Sequence, residues 1–267
     1  MELVGLLIAR LKLIVAGANV ISMRFIAIRQ FFISLFNHGP KFYFWNFMFL
    51  FSLVFSVGQT NLVSAKTTFE VYGGYQTSPH SVVNGEYQLG ITQEELVKFN
   101  VTAGWKGKSF SMPPYYGFRF TRWNLKSGWG LDFTHSKAYA EPDTLTEVNL
   151  QLLQFTDGLN NVTLHRQINS LVVRNKYQSY YGYGIGVILP HVEFQAENSL
   201  RRTFGYQFGG PTVAFNSGFK VPVTANKFVF AEYKFTASWL DVDLNGGGNL
   251  QTRILTNALN IGFGLKF

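Results

Sequence analysis

The chain contains no cysteine. That excludes a disulfide framework and any thiolate chemistry, and it is compatible with an oxidising compartment. Charge is scarce as well: Lys, Arg, Asp and Glu make up 14% of the 267 residues, against about a quarter in an ordinary soluble domain. After residue 65 no segment carries helical periodicity, and no Gly-rich dinucleotide fingerprint is present, so a flavin or nicotinamide enzyme is not expected. No spacing of His, Asp and Glu matches a compact metal motif. What the chain has instead is aromatic content of 17%, with 27 Phe, 13 Tyr and 26 Gly. That composition suits a surface that faces lipid.

The formal charge of +8 is partly a property of the N-terminal stretch. Residues 1–65 hold Arg10, Lys12, Arg24, Arg29 and Lys41 against Glu2, which leaves 18 basic and 14 acidic residues beyond them. A residual +4 fits contact with an anionic lipid surface and is too weak to indicate nucleic-acid binding. Residues 42–57, FYFWNFMFLFSLVFSV, form an apolar run just after Lys41, and Val63-Ser64-Ala65 follows with small or aliphatic residues. This pattern predicts a signal peptide cleaved after Ala65; a transmembrane helix is the alternative, although sixteen residues is short for one. Residues 1–40 make the leader unusually long, or place the true start downstream, with Met23 a candidate.

Residues 66–267 parse as one all-β domain. The C-terminal segment shows the rule most plainly. Leu255, Asn257, Leu259, Ile261, Phe263, Leu265 and Phe267 share one parity, while Thr256, Ala258, Asn260, Gly262, Gly264 and Lys266 share the other. Alternate strand residues point to opposite faces, so one face is apolar except at Asn257 and the other is small and polar. Seven further segments alternate in this way: Thr67–Ser78, Ser109–Trp123, Gly128–Tyr139, Asn161–Val173, Tyr180–Phe194, Thr203–Lys220 and Lys227–Val242. Connections alternate long and short. Long loops are expected at Pro79–Lys108, with a short helical turn at Gln93–Lys98, and at Ala140–Asn160 and Asn245–Gln251. Short turns are expected at Asn124–Ser127, Arg174–Ser179 and Val221–Asn226. The expected fold is an eight-stranded antiparallel transmembrane β-barrel of the outer-membrane type, with long loops outside and both termini in the periplasm. Such a barrel is just wide enough for its own side chains and is not an open pore. Gly182, Gly184 and Gly186 share the inward parity and allow close packing.

By parity, Glu70, Arg119, Asp132, Glu232, Lys234 and Lys266 point inward, where they must pair. A structural plug explains them more simply than catalysis. At the other end of the strands, His80, His135, His165 and His191 all fall near predicted outer strand ends, with Glu193, Asp241 and Asp243 nearby. His and carboxylate together can bind a transition metal or act as acid and base. A solvated rim of scattered polar residues is the plainer alternative, and His135 shares parity with lipid-facing Phe133.

Several stretches carry a resemblance: Phe69–Ser81 (FEVYGGYQTSPHS), Phe133–Lys137 (FTHSK), Phe155–Asn160 (FTDGLN), Pro190–Glu193 (PHVE), Asp241–Gly248 (DVDLNGGG) and Thr256–Asn260 (TNALN). They resemble the lipid A oxidase family of rhizobial-type bacteria, over essentially all of residues 67–267. The resemblance implies an outer-membrane enzyme that oxidises the proximal glucosamine of lipid A to an aminogluconate unit. It also implies molecular oxygen as co-substrate, release of hydrogen peroxide, and a divalent cation of unspecified identity. His165 stands where the family pattern has Asn, which argues against an essential role for it. The candidate catalytic residues are His80, His135, His191 and Glu193, and the candidate cation ligands are Asp241 and Asp243. The main alternative is a non-enzymatic small barrel such as an adhesin. A hydrolase or acyltransferase would need a nucleophile beside one of the histidines; Ser81 is a neighbour of His80 in sequence, but adjacent strand residues point apart. A porin fits least.

Overall fold

The computed structural model describes residues 66–89, 96–173 and 177–267; the expected leader, 1–65, lies outside the described residues. In chain order the elements are β1 (Thr67–Gln88), β2 (Leu96–Lys106), β3 (Tyr116–Asn124), β4 (Ser127–His135), β5 (Ala138–Ala140), the short helix α1 (Pro142–Glu147), β6 (Leu150–Phe155) and β7 (Asn161–Val173). They continue with β8 (Tyr177–Ile188), β9 (His191–Ala196), β10 (Arg202–Tyr206), β11 (Gly210–Pro222), β12 (Lys227–Asp243) and β13 (Gly248–Lys266). Eight of these close into an antiparallel barrel in the order β1-β3-β4-β7-β8-β11-β12-β13 and back to β1. The closing seam pairs Thr68 with Lys266 and Thr77 with Asn257 along β1 and β13. Closure gives every wall strand a partner on both sides, the condition for a strand-built structure to cross lipid.

The outer face of the wall is apolar because the sequence alternates. Phe69, Val71, Trp129, Leu164, Ile185, Phe215, Tyr233 and Phe263 are exposed, and Ile261 is 75% exposed, a burden that lipid removes. Asn257, the polar exception on β13, accepts a hydrogen bond from Tyr233 Oη at 2.5 Å. Inside, room is made by glycine: a Cβ on Gly262 would lie 2.3 Å from the Phe230 ring, and one on Gly186 would lie 1.9 Å from the Val162 carbonyl oxygen. The protein is an outer-membrane barrel.

The long connections are not loops. β2, β5, β6, β9 and β10 continue the sheet outward from the upper half of β1, in the order β10-β9-β6-β5-β2-β1. The ring they begin is drawn toward β12 by side chains: Gln207 Nε2 donates to the Asp243 carbonyl at 2.9 Å and Asn245 Nδ2 donates to the Arg202 carbonyl at 2.8 Å. This upper storey has the opposite chemistry from the lower one. Its interior holds Val83, Tyr87, Val101, Phe155, Phe194, Leu250 and Ile254, because it stands in water and must bury apolar surface. The lower storey is bathed by lipid and keeps its polar groups inside. In β1 the inward residues are even-numbered through Gln76 and odd-numbered from Val83. A register shift between Thr77 and Val83 makes that switch.

Several sequence expectations are corrected here, among them the Ala140–Asn160 loop, which holds α1 and β6, and the Gly128–Tyr139 strand, which divides into β4 and β5. The predicted Pro79–Lys108 loop is mostly strand, and Leu96–Lys98, expected in a helical turn, belong to β2; residues 90–95 lie outside the described residues. The predicted fifth strand breaks at Leu189-Pro190, where β9 departs to pair with β6. The predicted sixth strand divides into β10 and β11 around Gln207–Gly209. The last loop is shorter than expected, since β13 already begins at Gly248. Of the expected short turns, Asn124–Ser127 and Val221–Asn226 join paired strands as anticipated; Tyr177–Ser179 are part of β8, and 174–176 lie outside the described residues.

Candidate functional site

Two polar assemblies compete for attention. The first fills the lower storey. Arg119, fully buried, donates to Glu70 (2.9 Å), to Asp132 (2.9 Å) and through two nitrogens to Glu232 (2.9 and 3.1 Å). Lys234 binds Asp132 at 2.9 Å, and Lys220 binds Glu70 at 2.6 Å and Gln167 at 2.9 Å. Tyr180 and Asn216 donate to one of the same two Glu232 oxygens and Asn260 to the other. Three acids face three bases with their hydrogen bonds made, which is the chemistry of a plug. Five of the six expected inward charges are there. Lys266 instead lies over the Phe228 ring, 5.5 Å from its centroid, and Lys220 supplies the third base. His165 also belongs to this interior and not to the rim: it is buried, with Nε2 2.9 Å from Thr121 Oγ1.

The second assembly lies at the upper end of the wall, between the two storeys. His135 closes β4, and His191 opens β9. Between them runs the turn Thr156–Asn160, in which Gly158 has φ +99°. A Cβ there would lie 2.4 Å from His135 Nδ1, so the turn needs glycine for both its backbone and its neighbour. The Gly158 carbonyl accepts from the His191 amide at 2.9 Å, which ties the second histidine to the same turn. His135 keeps the outward parity of Phe133, yet it is buried, stacked on Tyr116 with ring centroids 5.0 Å apart.

The protonation of His135 follows from its partners. Asn160 Nδ2 donates to the carbonyls of Asp157 (3.0 Å) and Leu189 (3.2 Å), so its Oδ1 is the atom turned toward the imidazole. That oxygen can only accept, and it lies 2.9 Å from His135 Nδ1. Nδ1 therefore carries the proton, and the lone pair is on Nε2, which is buried without a hydrogen-bond partner. His191 stands between two carboxylates, Nε2 at 3.8 Å from Asp157 and Nδ1 at 3.7 Å from Glu193. Phe204 and Tyr206 meet its ring edge-on, with centroids 4.6 and 4.8 Å away. Glu193 accepts from Gln154 (3.0 Å), Thr156 and Arg202 (2.9 Å). Burial alone would raise its pKa, but these three donors outweigh it and hold the carboxyl below its ordinary value.

The structure thus brings together His135, His191 and Glu193 and separates the other candidates from them. His80 is exposed at the register shift of β1. Asp241 and Asp243 alternate with buried Leu240 and Val242, so both point away from the interior. Asp241 there accepts from Asn249 and Gln251 at 3.2 and 3.0 Å. Ser81 Oγ is engaged by Trp105 Nε1 at 2.8 Å and Thr252 Oγ1 at 3.1 Å, a structural tie and not a nucleophile's setting. Among the described residues no three His, Asp or Glu side chains converge as a metal centre. The residues the sequence missed are Asp157, Asn160, Arg202 and Tyr206. Asp157 and Asn160 lie in the Phe155–Asn160 stretch that carries the resemblance, but which histidine they orient depends on long-range pairing.

No family model and no curated protein matches the chain. Among solved structures it is similar to the outer membrane protein OprG from Pseudomonas aeruginosa, at 16% identity and a TM-score of 0.45 over 75% of this chain and 95% of that one. It is also similar to Neisserial surface protein A, at 12% identity and a TM-score of 0.40 over 74% and 97%. A third is Ail of Yersinia pestis in complex with the heparin analogue sucrose octasulfate, at 10% identity and a TM-score of 0.30 over 74% and 99%.

Proposed function

We propose that this outer-membrane barrel is an enzyme acting on the sugar head group of outer-leaflet lipid, and specifically a lipid A oxidase. The observation that carries the proposal is His135: a buried imidazole whose tautomer is fixed by Asn160, leaving Nε2 as an unused base at the head of the lipid-facing wall. The oxidase reaction comes from the sequence resemblance. In it, the anomeric O–H and C1–H bonds of the proximal glucosamine are broken, and the two electrons and two protons reduce oxygen to hydrogen peroxide. The lactone that remains is opened by water to the aminogluconate. His135 Nε2 takes the hydroxyl proton, and Asn160 steadies the imidazolium through Nδ1. His191, held between Asp157 and Glu193, borders the same turn and is placed to contact the sugar.

The candidate cation ligands Asp241 and Asp243 face outward, away from both histidines, and among the described residues no three His, Asp or Glu side chains converge on one point. The test is purified protein in detergent with lipid A and oxygen. Peroxide release that disappears in His135→Ala supports the proposal; no peroxide with any lipid A sample contradicts it. A second reading, a non-enzymatic surface barrel, is favoured by the plugged interior and by the dispersal of His80, Asp241 and Asp243. It predicts lipid A unchanged by the protein.

A further inference from the structure

We propose that the cleft between β1 and the segment Lys106–Ser111 binds the phosphate group of an outer-leaflet lipid, with an acyl chain lying along Tyr75 and Phe110. The inference rests on the barrel's place in the outer membrane and not on the oxidase reaction.

The cleft exists because β1 changes partners. It pairs with β3 through Gly73, opposite Tyr116, and with β2 only from Ser78, opposite Trp105. Between those points its edge has no ladder partner, and Ser109 substitutes: its Oγ accepts from the Gln76 amide at 2.9 Å and donates to the Gln76 carbonyl at 3.3 Å. The opening beside this patch has a volume of about 390 Å³ and is lined by Tyr75, Thr77, Lys106, Lys108, Phe110 and Ser111, among others. It faces the membrane. Tyr75 pairs with Leu259, which is itself exposed on the lipid side, and Tyr75 stacks on Phe110 with centroids 6.2 Å apart. Phe110 and neighbouring Met112 are 78% and 85% exposed, an unusual display for apolar side chains unless hydrocarbon covers them.

The charge around this opening is unbalanced. Lys108 and Lys137 share one ring, with Nζ atoms 3.8 and 5.8 Å from the Tyr139 centroid. Lys106 lines the same cleft. Among the described residues none of these three lysines has a carboxylate within salt-bridge distance; Lys137, buried, donates to the Ser111 carbonyl at 2.8 Å. Burial pushes the Lys137 ammonium below its ordinary pKa, Lys108 pushes it further, and Asp157 is the acid that offsets them in part. Lys106 and Lys108 line the cleft without a carboxylate partner, and buried Lys137 adds its positive charge beside Lys108. A phosphate held by Lys106 and Lys108 would sit at the head of a lipid-facing cleft, which makes a lipid its natural bearer.

The test uses the folded protein in phosphatidylcholine nanodiscs and native mass spectrometry with three probes: phosphorylated lipid A, the same lipid after phosphatase treatment, and inorganic phosphate. Lys106→Gln/Lys108→Gln should weaken retention of the phosphorylated lipid by roughly ten-fold or more. Phe110→Ser should weaken the lipid and leave inorganic phosphate unchanged. Heat-modified gel mobility confirms that each variant is folded, and Lys98→Gln serves as a control for loss of a single exposed charge away from the cleft. Equal retention of phosphorylated and phosphate-free lipid would overturn the proposal. So would inorganic phosphate binding as tightly as the lipid, or an unchanged Lys106→Gln/Lys108→Gln variant.

Discussion

At the scale of single residues, position in the wall decides role more than residue type does. Four histidines were legible as a group near the strand ends, and the structure distributes them into three environments. His80 is exposed in a bulge, His165 is locked in the plug, and His135 and His191 share one turn. The first prediction follows: His135→Ala should lower turnover by about 10²–10⁴-fold, while His80→Ala should stay within roughly two-fold of wild type. Asn160→Ala should reduce turnover through loss of the fixed tautomer, and, as a positioning effect, it should shift the pH–rate profile, which loss of fold alone would not do. Arg119 is the opposite kind of residue. Arg119→Met leaves Glu70, Asp132 and Glu232 clustered without their central cation, so it should cost about 3–5 kcal/mol, read from urea unfolding of the barrel. None of this could be seen in the sequence beyond parity: Asp157 and Asn160 gain their roles from a glycine turn whose neighbours are set by distant strands.

At the scale of elements, legibility tracked the solvent. The barrel strands stood out because lipid outside and polar groups inside impose strict alternation over nine or more residues, as in β12 and β13. The upper storey escaped recognition because β5 and β6 span only three and six residues, and β1 reverses its parity midway. A short strand whose partner is remote in sequence leaves little local signal. The upper storey also has a distinct pH response. The folded-state pKa of Glu193 is depressed, so its stabilising contribution is complete above its unfolded value, about 4.3, and fades as pH falls through the lower folded value. Arg202→Gln removes one of the three donors and raises that folded value. Limited proteolysis between about pH 5 and pH 3 should therefore cut the variant's upper storey more readily than the wild type's, with the barrel strands unaffected in both. In the wall, Gly262→Val would drive a branched side chain into Phe230 and should abolish the heat-modifiable folded band.

At the scale of the whole molecule, two oppositely organised storeys meet at the level where lipid gives way to water, and the His135–His191 assembly sits at that junction. The lower storey is a barrel filled by its own charged network, and in the proposed reaction the lipid reaches the junction from the side. The upper storey holds the Thr156–Asn160 turn and Glu193 against the wall, giving that junction a rigid frame. The most direct measurement of the central claim is mass spectrometry of lipid A from cells lacking the gene, complemented with the wild-type chain or with His135→Ala at matched outer-membrane abundance. A gain of one oxygen atom on the proximal sugar is expected with wild type and none with His135→Ala. Unmodified lipid A in the wild-type strain, or equal modification by the variant, would contradict it.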